Sequence, residues 1–572
     1  MKLLRLFASV VVLLTVIFGT QSTRAKTRKP GARPASPLAK STAMTTSSAA
    51  VDEAYRLVLG IGCRQSISEA NTTLRKAASA GDPLAQLAQG LFMKFGGMGF
   101  KLEPDAAREL IQRGQPAAVK AAELGNPTAK YLLARLYNGH LLQVSDRTSQ
   151  SQALLAESAE SSCPVAVLRM GYNAYDKEDF AAAEMWFERA KQLGCADAYS
   201  RLGRIYDRPG TPQFDCEKVR GYFQAGADAG SLDGQLCRGA TYIMGLCQKV
   251  DIERGLKDVQ AAVDGGSVGA LEYLADLYTT PVLGIDYKKA DEYWRRAAEL
   301  GSEDSMVSLG RAYIEGLGVT TNTARGLNLI KSAAELDSQF AARKLGYLYC
   351  ANEYGIKKNL KAARKWYEVA VTEGSGDAAF DLAEMLKYEF DDKETTRIAD
   401  LFEFAAEHGV AGAMGYTGWA YQQGKGKSVN LWTAARWYQK GMKAGDAYSA
   451  GMLGWMYNEG EGLRKNYSRA LSAFRRGVEL GDSFSMVALA YKYLEGEDLE
   501  QDSLKAAELY RRAADLDDDE GMAGMGYISY YGYGVPRDQK QSERWYRKAA
   551  ELGNEEAIDW LKEHRKASRT KK

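Results

Sequence analysis

The sequence predicts an all-α, right-handed superhelical solenoid of about fourteen helix-turn-helix repeats, each of ~36 residues. Three observations carry this: one segment recurs at a fixed spacing, each copy holds two amphipathic helical periods, and glycines fall where helices must end.

The recurring segment is written Ala-Ala-Glu-Leu-Gly in its clearest copies. Its last residue falls at Gly301, Asp337, Gly374, Gly409, Gly445, Gly481, Asp517 and Gly553, a spacing of 36, 37, 35, 36, 36, 36 and 36. Gly194, Gly230 and Gly266 keep the same beat upstream. Gly125 and Ser162 extend it less regularly, and Gly81 opens it.

Within one copy a first helix (SMVSLGRAYIEG, from Ser305) leads through a Gly-containing loop to a second (ARGLNLIKSAAELD). Residues 522–553 repeat the plan. Apolar and small residues recur at i, i+3, i+4 and i+7, the period of a helix with one buried face. Small residues such as Gly310, Gly418, Gly454 and Gly526, with Ala549 and Ala550, let helix axes approach, and Tyr421, Tyr457, Trp437 and Trp545 are expected to fill the space beside them. The closing glycine can turn left-handed and stop the helix. No single copy can bury both apolar faces, so stability must come from stacking.

Length and composition agree. A chain of 572 residues exceeds one globular core. With 45% apolar and 26% charged residues it can bury a continuous row, and 57 Gly against 12 Pro fits regular helix ends rather than disorder.

Residues 1–25 read as an export signal: Lys2 and Arg5 precede the apolar run Leu6 to Gly19, with a cleavage site after Ala25. The run is short against the roughly 20 residues a membrane span needs, so a cleaved signal is preferred over an uncleaved anchor. No span is expected in the mature chain, which is placed as periplasmic or secreted, or lumenal in a eukaryote. Residues 26–50, rich in Pro, Ser, Thr and Ala with Lys26, Arg28, Lys29, Arg33 and Lys40 and no acid, read as a flexible linker. Residues 562–572 form a basic tail, read as solvated.

Three basic residues in the signal, five in the linker and a net five in the tail outweigh the total of +2, leaving −11 for residues 51–561. An acidic body argues against nucleic acid, whose phosphates demand clustered Lys and Arg.

The copies resemble the SEL-one-like repeat family, relatives of the tetratricopeptide repeats. The resemblance rests on Leu-Gly-x-x-Tyr-x-x-Gly-x-Gly at Leu309–Gly318 and Leu453–Gly462, and on Ala-x-x-Trp-Tyr-x-x-Ala-Ala-x-x-Gly at Ser542–Gly553, where Ser replaces the first Ala. It is regular over residues 269–561 and irregular, with most of the cysteines, over 51–268. It implies an adaptor that assembles complexes, reports envelope or folding stress, or mediates host contact. Fold analogy alone does not assign a function.

The residues hold no catalytic constellation, so the chain is expected not to be an enzyme and to need no cofactor or metal. The three histidines, His140, His408 and His564, lie in different repeats, which a solenoid is expected to hold apart. No phosphate loop, nucleophile elbow or His-Glu-x-x-His occurs. The Gly-x-Gly loops at Gly316–Gly318 and Gly424–Gly426 follow from repeat geometry. The acidic run Asp515, Asp517, Asp518, Asp519 and Glu520 lacks calcium-loop spacing and reads as a solvated turn.

Of the seven cysteines, Cys63, Cys163, Cys195, Cys216, Cys237, Cys247 and Cys350, one pair can be argued to bridge. Cys216 opens a second helix and Cys247 follows the next first helix, nearly equidistant from the turn at residues 230–232, so antiparallel packing sets them side by side. Buried free thiols are the alternative. Paired C-x-x-C spacing for zinc is absent.

One stripe suggests recognition. The residue after the small Gly or Ala of the first helix is Tyr347, Glu384, Trp419, Trp455, Tyr491 and Tyr527 in six successive repeats, and seven residues earlier stand Phe340, Tyr448 and Phe484. In tetratricopeptide relatives the matching position points into the concave groove. Gly415, Gly451, Val487 and Ala523 between them are expected to leave room. Such rings could grip an extended peptide or a sugar chain, or could pack on the adjoining helix. The sequence therefore favours an exported scaffold that recognises a protein segment on its concave face. A carbohydrate or cell-wall binding module is the alternative, and an envelope hydrolase has the least support.

Overall fold

The computed structural model describes residues 49–138, 147–209, 211–336, 338–389, 394–496 and 498–569. The signal, nearly all of the linker, and His140 lie outside them. The described residues are helices joined by turns, with no strand among them, and the helices pair consecutively from Ala49–Leu59 with Ile67–Ser79 to Asp519–Tyr531 with Gln539–Glu551, followed by a lone helix Glu555–Arg569. This is the all-α helix-turn-helix repeat fold that the periodicity predicts. The basic tail is helical as far as Arg569, so residues 562–569 continue this last helix rather than forming a separate segment.

Most helices start where a side chain can satisfy their first free N–H groups, although some, such as those opening after Cys163, Ala196 and Val410, have no such cap. First helices open at Ser231, Ser267, Ser302 and Ser338 and later at Asp446, Asp482 and Asp518, each accepting from the N–H three residues on. Second helices open at Asp or Asn, such as Asp215, Asn322, Asn430, Asn466 and Asp538. Each cap contributes about 1 kcal/mol, so the repeated polar residue before these helices fixes their register.

The helix-packing glycines behave as expected, with a different partner. A Cβ at Gly418 would stand 2.6 Å from the Tyr438 ring, one at Gly454 2.6 Å from Phe474, and one at Gly526 2.9 Å from Tyr546. The ring seated on the glycine is thus Tyr438, Phe474 or Tyr546; Tyr438 and Tyr546 stand one position beyond Trp437 and Trp545, the rings expected there. Tyr438, Phe474 and Tyr546 are fully buried. Trp437 and Trp545 lie instead beneath Lys440 and Lys548. Gly426 of the Gly-x-Gly loop has φ +74, and a Cβ there would overlap the Thr395 carbonyl at the start of the preceding second helix. Close approach of loop to helix, not phosphate binding, accounts for that glycine.

The chain forms two compact units, divided at Ala363 inside helix Leu360–Thr372. In the first unit the row winds back on itself. Gln65, buried in the loop after helix Ala49–Leu59, donates from Nε2 to Asp197 Oδ1 at 2.8 Å and accepts the Leu232 N–H at 2.6 Å. Ala196 N–H donates to Leu59 O at 2.9 Å. Further along, Lys101 pairs with Glu299 at 3.7 Å, and a Cβ on Gly301 would meet the Gly96 backbone at 3.0 Å. The loops at 60–66 and 96–102 therefore lie along the turns near 196, 231 and 301. This corrects the expectation that sequence-distant repeats stay apart: the rotation between successive pairs brings the chain round onto its own start.

In the second unit the first helices Ala411–Gln423, Ala447–Glu459, Ser483–Glu495 and Asp519–Tyr531 each meet the next, whereas among the second helices only Leu431–Ala444 and Tyr467–Leu480 approach comparably. The first helices therefore form the more closely neighbouring layer of the second unit.

Candidate functional site

The first-helix layer of the second unit carries six of the eight candidate rings. Trp419, Tyr491, Tyr448 and Phe484 are exposed, at 38%, 51%, 43% and 38%, and Trp455 and Tyr527 are half-buried. Tyr347 and Phe340 belong to the first unit and are also exposed. Lys344 stands over the Tyr347 ring at 5.1 Å. Glu384, where the aromatic row is interrupted, lies 3.7 Å from Lys387.

The inner row is less open than the small residues suggest. A Cβ on Gly415 would meet Asp446 Oδ2 at 2.6 Å and the Tyr448 ring at 3.2 Å, and Gly451 faces Asp482 and Phe484 in the same way. These glycines accommodate the next repeat's cap carboxylate and ring, and do not leave free room above the stripe. Tyr448 also meets Tyr438 edge-on at 6.1 Å, and Phe484 meets Phe474 at 6.3 Å. Each ring is thus partly packed and partly open to solvent.

The caps add a feature that sequence reasoning missed. Asp446, Asp482 and Asp518, one per repeat, form a row of carboxylates beside the rings. Burial, and then Asp446 and Asp518, raise the Asp482 carboxyl above its usual range against hydrogen bonds from Ser485. Burial chiefly, with Asp446 and Asp482 adding to it, raises the Tyr448 hydroxyl. The signal was present as Asp recurring before the last three paired first helices, at the spacing of the repeat.

At the end of this layer Tyr527, Tyr531 and Tyr533 cluster, with Tyr527 to Tyr531 at 4.8 Å and Tyr531 to Tyr533 at 5.6 Å. The Tyr527 hydroxyl is raised by burial first, then by Tyr533, Tyr531, Glu495 and Glu556. Glu520, which replaces the outer ring in this repeat, is raised by burial and by Asp518, Asp519 and Glu556.

The remaining candidates are structural. His408 Nδ1 lies 2.7 Å from Phe404 O and His564 Nδ1 2.9 Å from Trp560 O, each tied to its own helix. Asp518 of the acidic run is the cap of helix Asp519–Tyr531, and Asp519 accepts from Asn554. No group of three or more potential metal ligands occurs among the described residues.

Cys216 and Cys247 are joined in a disulfide, with Cα atoms 5.1 Å apart. Cys163, Cys195 and Cys237 are buried thiols, and burial pushes Cys195 and Cys237 up to about 12. Beside Cys237 is a second feature the sequence did not announce. Asp233 accepts Arg201 at 3.0 Å and Arg204 at 3.4 Å, with Ser200 Oγ donating at 2.7 Å. Against the penalty of burial, the two guanidinium groups hold Asp233 down at about 2. Burial and the charge of Asp233 push neighbouring Asp197 up to about 6.

A family model described as the Sel1 repeat matches residues 164–195, 196–231, 269–302, 303–338, 339–375, 411–446, 447–482, 483–518 and 519–554, more than half of the chain. Two of these lie in the part read as irregular, and helical pairs in the unmatched stretches 232–268 and 376–410 keep the same architecture. The chain is 26% identical over 311 residues to an uncharacterized protein of Neisseria meningitidis, covering 54% of this chain and 62% of that one. It is 28% identical over 120 residues to the Sel1-repeat-containing protein YjcO of Escherichia coli, covering 20% and 52%. It thus spans less than two thirds of either relative's length. Among solved structures, a protective antigen of uropathogenic Escherichia coli with an SLR fold is similar at 26% identity and a TM-score of 0.47, covering 73% of this chain and 90% of that one.

Proposed function

The chain belongs to the Sel1-repeat family, and from that membership we propose that it is an exported, non-catalytic scaffold that holds a protein segment on its concave face. Repeat scaffolds of this kind generally mediate protein–protein interaction. The observation that supports the reading here is the row Trp419, Trp455, Tyr491 and Tyr527, exposed or half-exposed on helices that pack rigidly through buried glycine–ring seats. Large rings on a preordered surface give contact area with little loss of entropy on binding. Export follows from the leader at residues 1–25, and an envelope or extracellular partner follows from export.

A carbohydrate or cell-wall polymer is the second reading, since exposed tryptophan and tyrosine faces also stack on sugars. Capture from envelope extract by the full chain, beside binding to peptidoglycan and a glycan panel, separates the two. The scaffold reading expects a protein partner retained by the native chain and lost on Trp419→Ala with Trp455→Ala. Retention of saccharide alone would overturn it.

A further inference from the structure

The second unit separates its charges by layer. Its first helix Gly376–Glu389 carries Lys387, paired with Glu384, but the next four, Ala411–Gln423, Ala447–Glu459, Ser483–Glu495 and Asp519–Tyr531, hold a single Lys or Arg, Lys492, which is buried against Tyr467 and Asp498 on the side of the second helices. The second helices Leu431–Ala444, Tyr467–Leu480, Ser503–Ala514 and Gln539–Glu551 hold three or four each. Over these last four first helices the layer therefore presents acids without an exposed Lys or Arg.

Cations cover ring faces on both layers: Lys440 lies 3.9 Å from the Trp437 centroid and Arg436 4.8 Å from Trp432 on a second helix, and over rings of the first helices Lys387 lies 4.3 Å from Tyr416 and Arg469 5.6 Å from Tyr457. The aromatic stripe differs from these. Among the described residues no Lys or Arg stands over Trp419, Trp455, Tyr491, Tyr527, Tyr531 or Tyr533. A ring face bears negative potential, and a carboxylate beside it deepens the attraction for a cation. Tyr531 and Tyr533 are 52% and 41% exposed, Glu495 and Glu556 are exposed, and all four surround Tyr527.

We propose that this first-helix layer binds an extended polypeptide through its Lys and Arg side chains, with Tyr527, Tyr531 and Tyr533 beside Glu495 and Glu556 receiving one cation. The proposal rests on the scaffold reading above and adds the chemistry of the partner. Complementarity selects a basic segment: an acidic one would meet the Asp446, Asp482 and Asp518 row, and a neutral one would leave those carboxylates partly desolvated without a counter-charge. The occupant is a polypeptide because the rings Trp419, Trp455, Tyr491 and Tyr527 and the cap aspartates Asp446, Asp482 and Asp518 recur with the repeat along a continuous row, as a chain with side chains at intervals requires.

The test is fluorescence anisotropy of labelled oligo-arginine and oligo-lysine, with oligo-glutamate as counterpart, on the full chain. The basic peptides are expected to bind and oligo-glutamate not to. Glu495→Gln with Glu556→Gln should weaken binding roughly ten-fold, and Tyr531→Leu with Tyr533→Leu should do so to a similar degree, since a partly desolvated cation–ring contact is of that order. These side chains are exposed, so circular dichroism and melting should be unchanged. Equal binding of oligo-glutamate, no binding of basic peptides, or affinity unaltered in both double variants would overturn the proposal. If basic peptides fail while a protein partner is still captured through Trp419 and Trp455, the scaffold reading survives and this one falls. If only saccharide is captured, the scaffold reading itself fails.

Discussion

The side-chain oxygen of Gln65 accepts the backbone N–H of Leu232 at 2.6 Å, across 167 residues of sequence. The same amide donates to Asp197, so one buried side chain joins the first helical pair to two later ones. Replacing Gln65 with Ala leaves the Leu232 N–H and an Asp197 oxygen short of a partner in a site closed to water. We expect a loss of about 1–3 kcal/mol, the penalty of an unsatisfied buried group. Urea denaturation followed by hydrogen exchange at residues 196–232 would read it, and an unchanged midpoint would contradict it.

Asp197 should make stability depend on pH. Its carboxyl is raised to about 6 in the folded chain from an ordinary value near 3.8, so between these values the folded state holds the proton more tightly. Stability from this group is present at low pH and is lost as pH rises through about 6. Asp197→Asn keeps an oxygen for Gln65 and Ser231 and removes the charge. We expect the variant to melt at or above the native temperature at pH 7.5, with a flatter profile between pH 4 and 7. A lower melting temperature at pH 7.5 would show that the ionised form is favoured.

The Cys216–Cys247 bridge closes a loop with a sequence separation of 31. Loop closure of this size contributes about 3.7 kcal/mol by restricting the unfolded chain. Alkylation and peptide mass mapping should label both cysteines only after reduction, and the Cys216→Ser, Cys247→Ser chain should unfold at lower denaturant. Labelling of both without reductant would refute the bridge.

Gly454 admits the Phe474 ring, with its Cβ position 2.6 Å from that ring. Gly454→Ala should destabilise by about 1–3 kcal/mol, because a close-packed interior resists an added methyl. Calorimetry would measure it. A neutral result would mean that the helices can separate locally.

Trp419→Ala should do the reverse: partner capture falls while melting moves little, because the ring is 38% exposed. A large drop in melting temperature with capture retained would assign Trp419 to packing.

Much of this was legible along the chain. The beat ending at Gly445, Gly481 and Gly553 locates the helical pairs, since helix ends need residues that tolerate a left-handed turn. Cys216 and Cys247 could be paired because antiparallel helices bring residues equidistant from a turn together. The alternation of exposed Trp419 with buried Thr417 and Gly418 follows the helical period. At Gly418 and Gly526 the expected ring, Trp437 or Trp545, stands one position before the one that packs, Tyr438 or Tyr546, because both are aromatic and only the helix rotation distinguishes them.

What the sequence determined by itself is local and periodic: the helical pairs, their caps, the glycines that end and seat them, and the residues each repeat presents at a given position. Tertiary structure alone decided which residues of different repeats meet. The room expected above Gly415 is taken by Asp446 and Tyr448 of the next repeat, the cap aspartates form a continuous row, and Gln65 closes on Leu232. These depend on the rotation between successive pairs, a small angle set by packing at every interface and accumulated along the row, which no single repeat encodes.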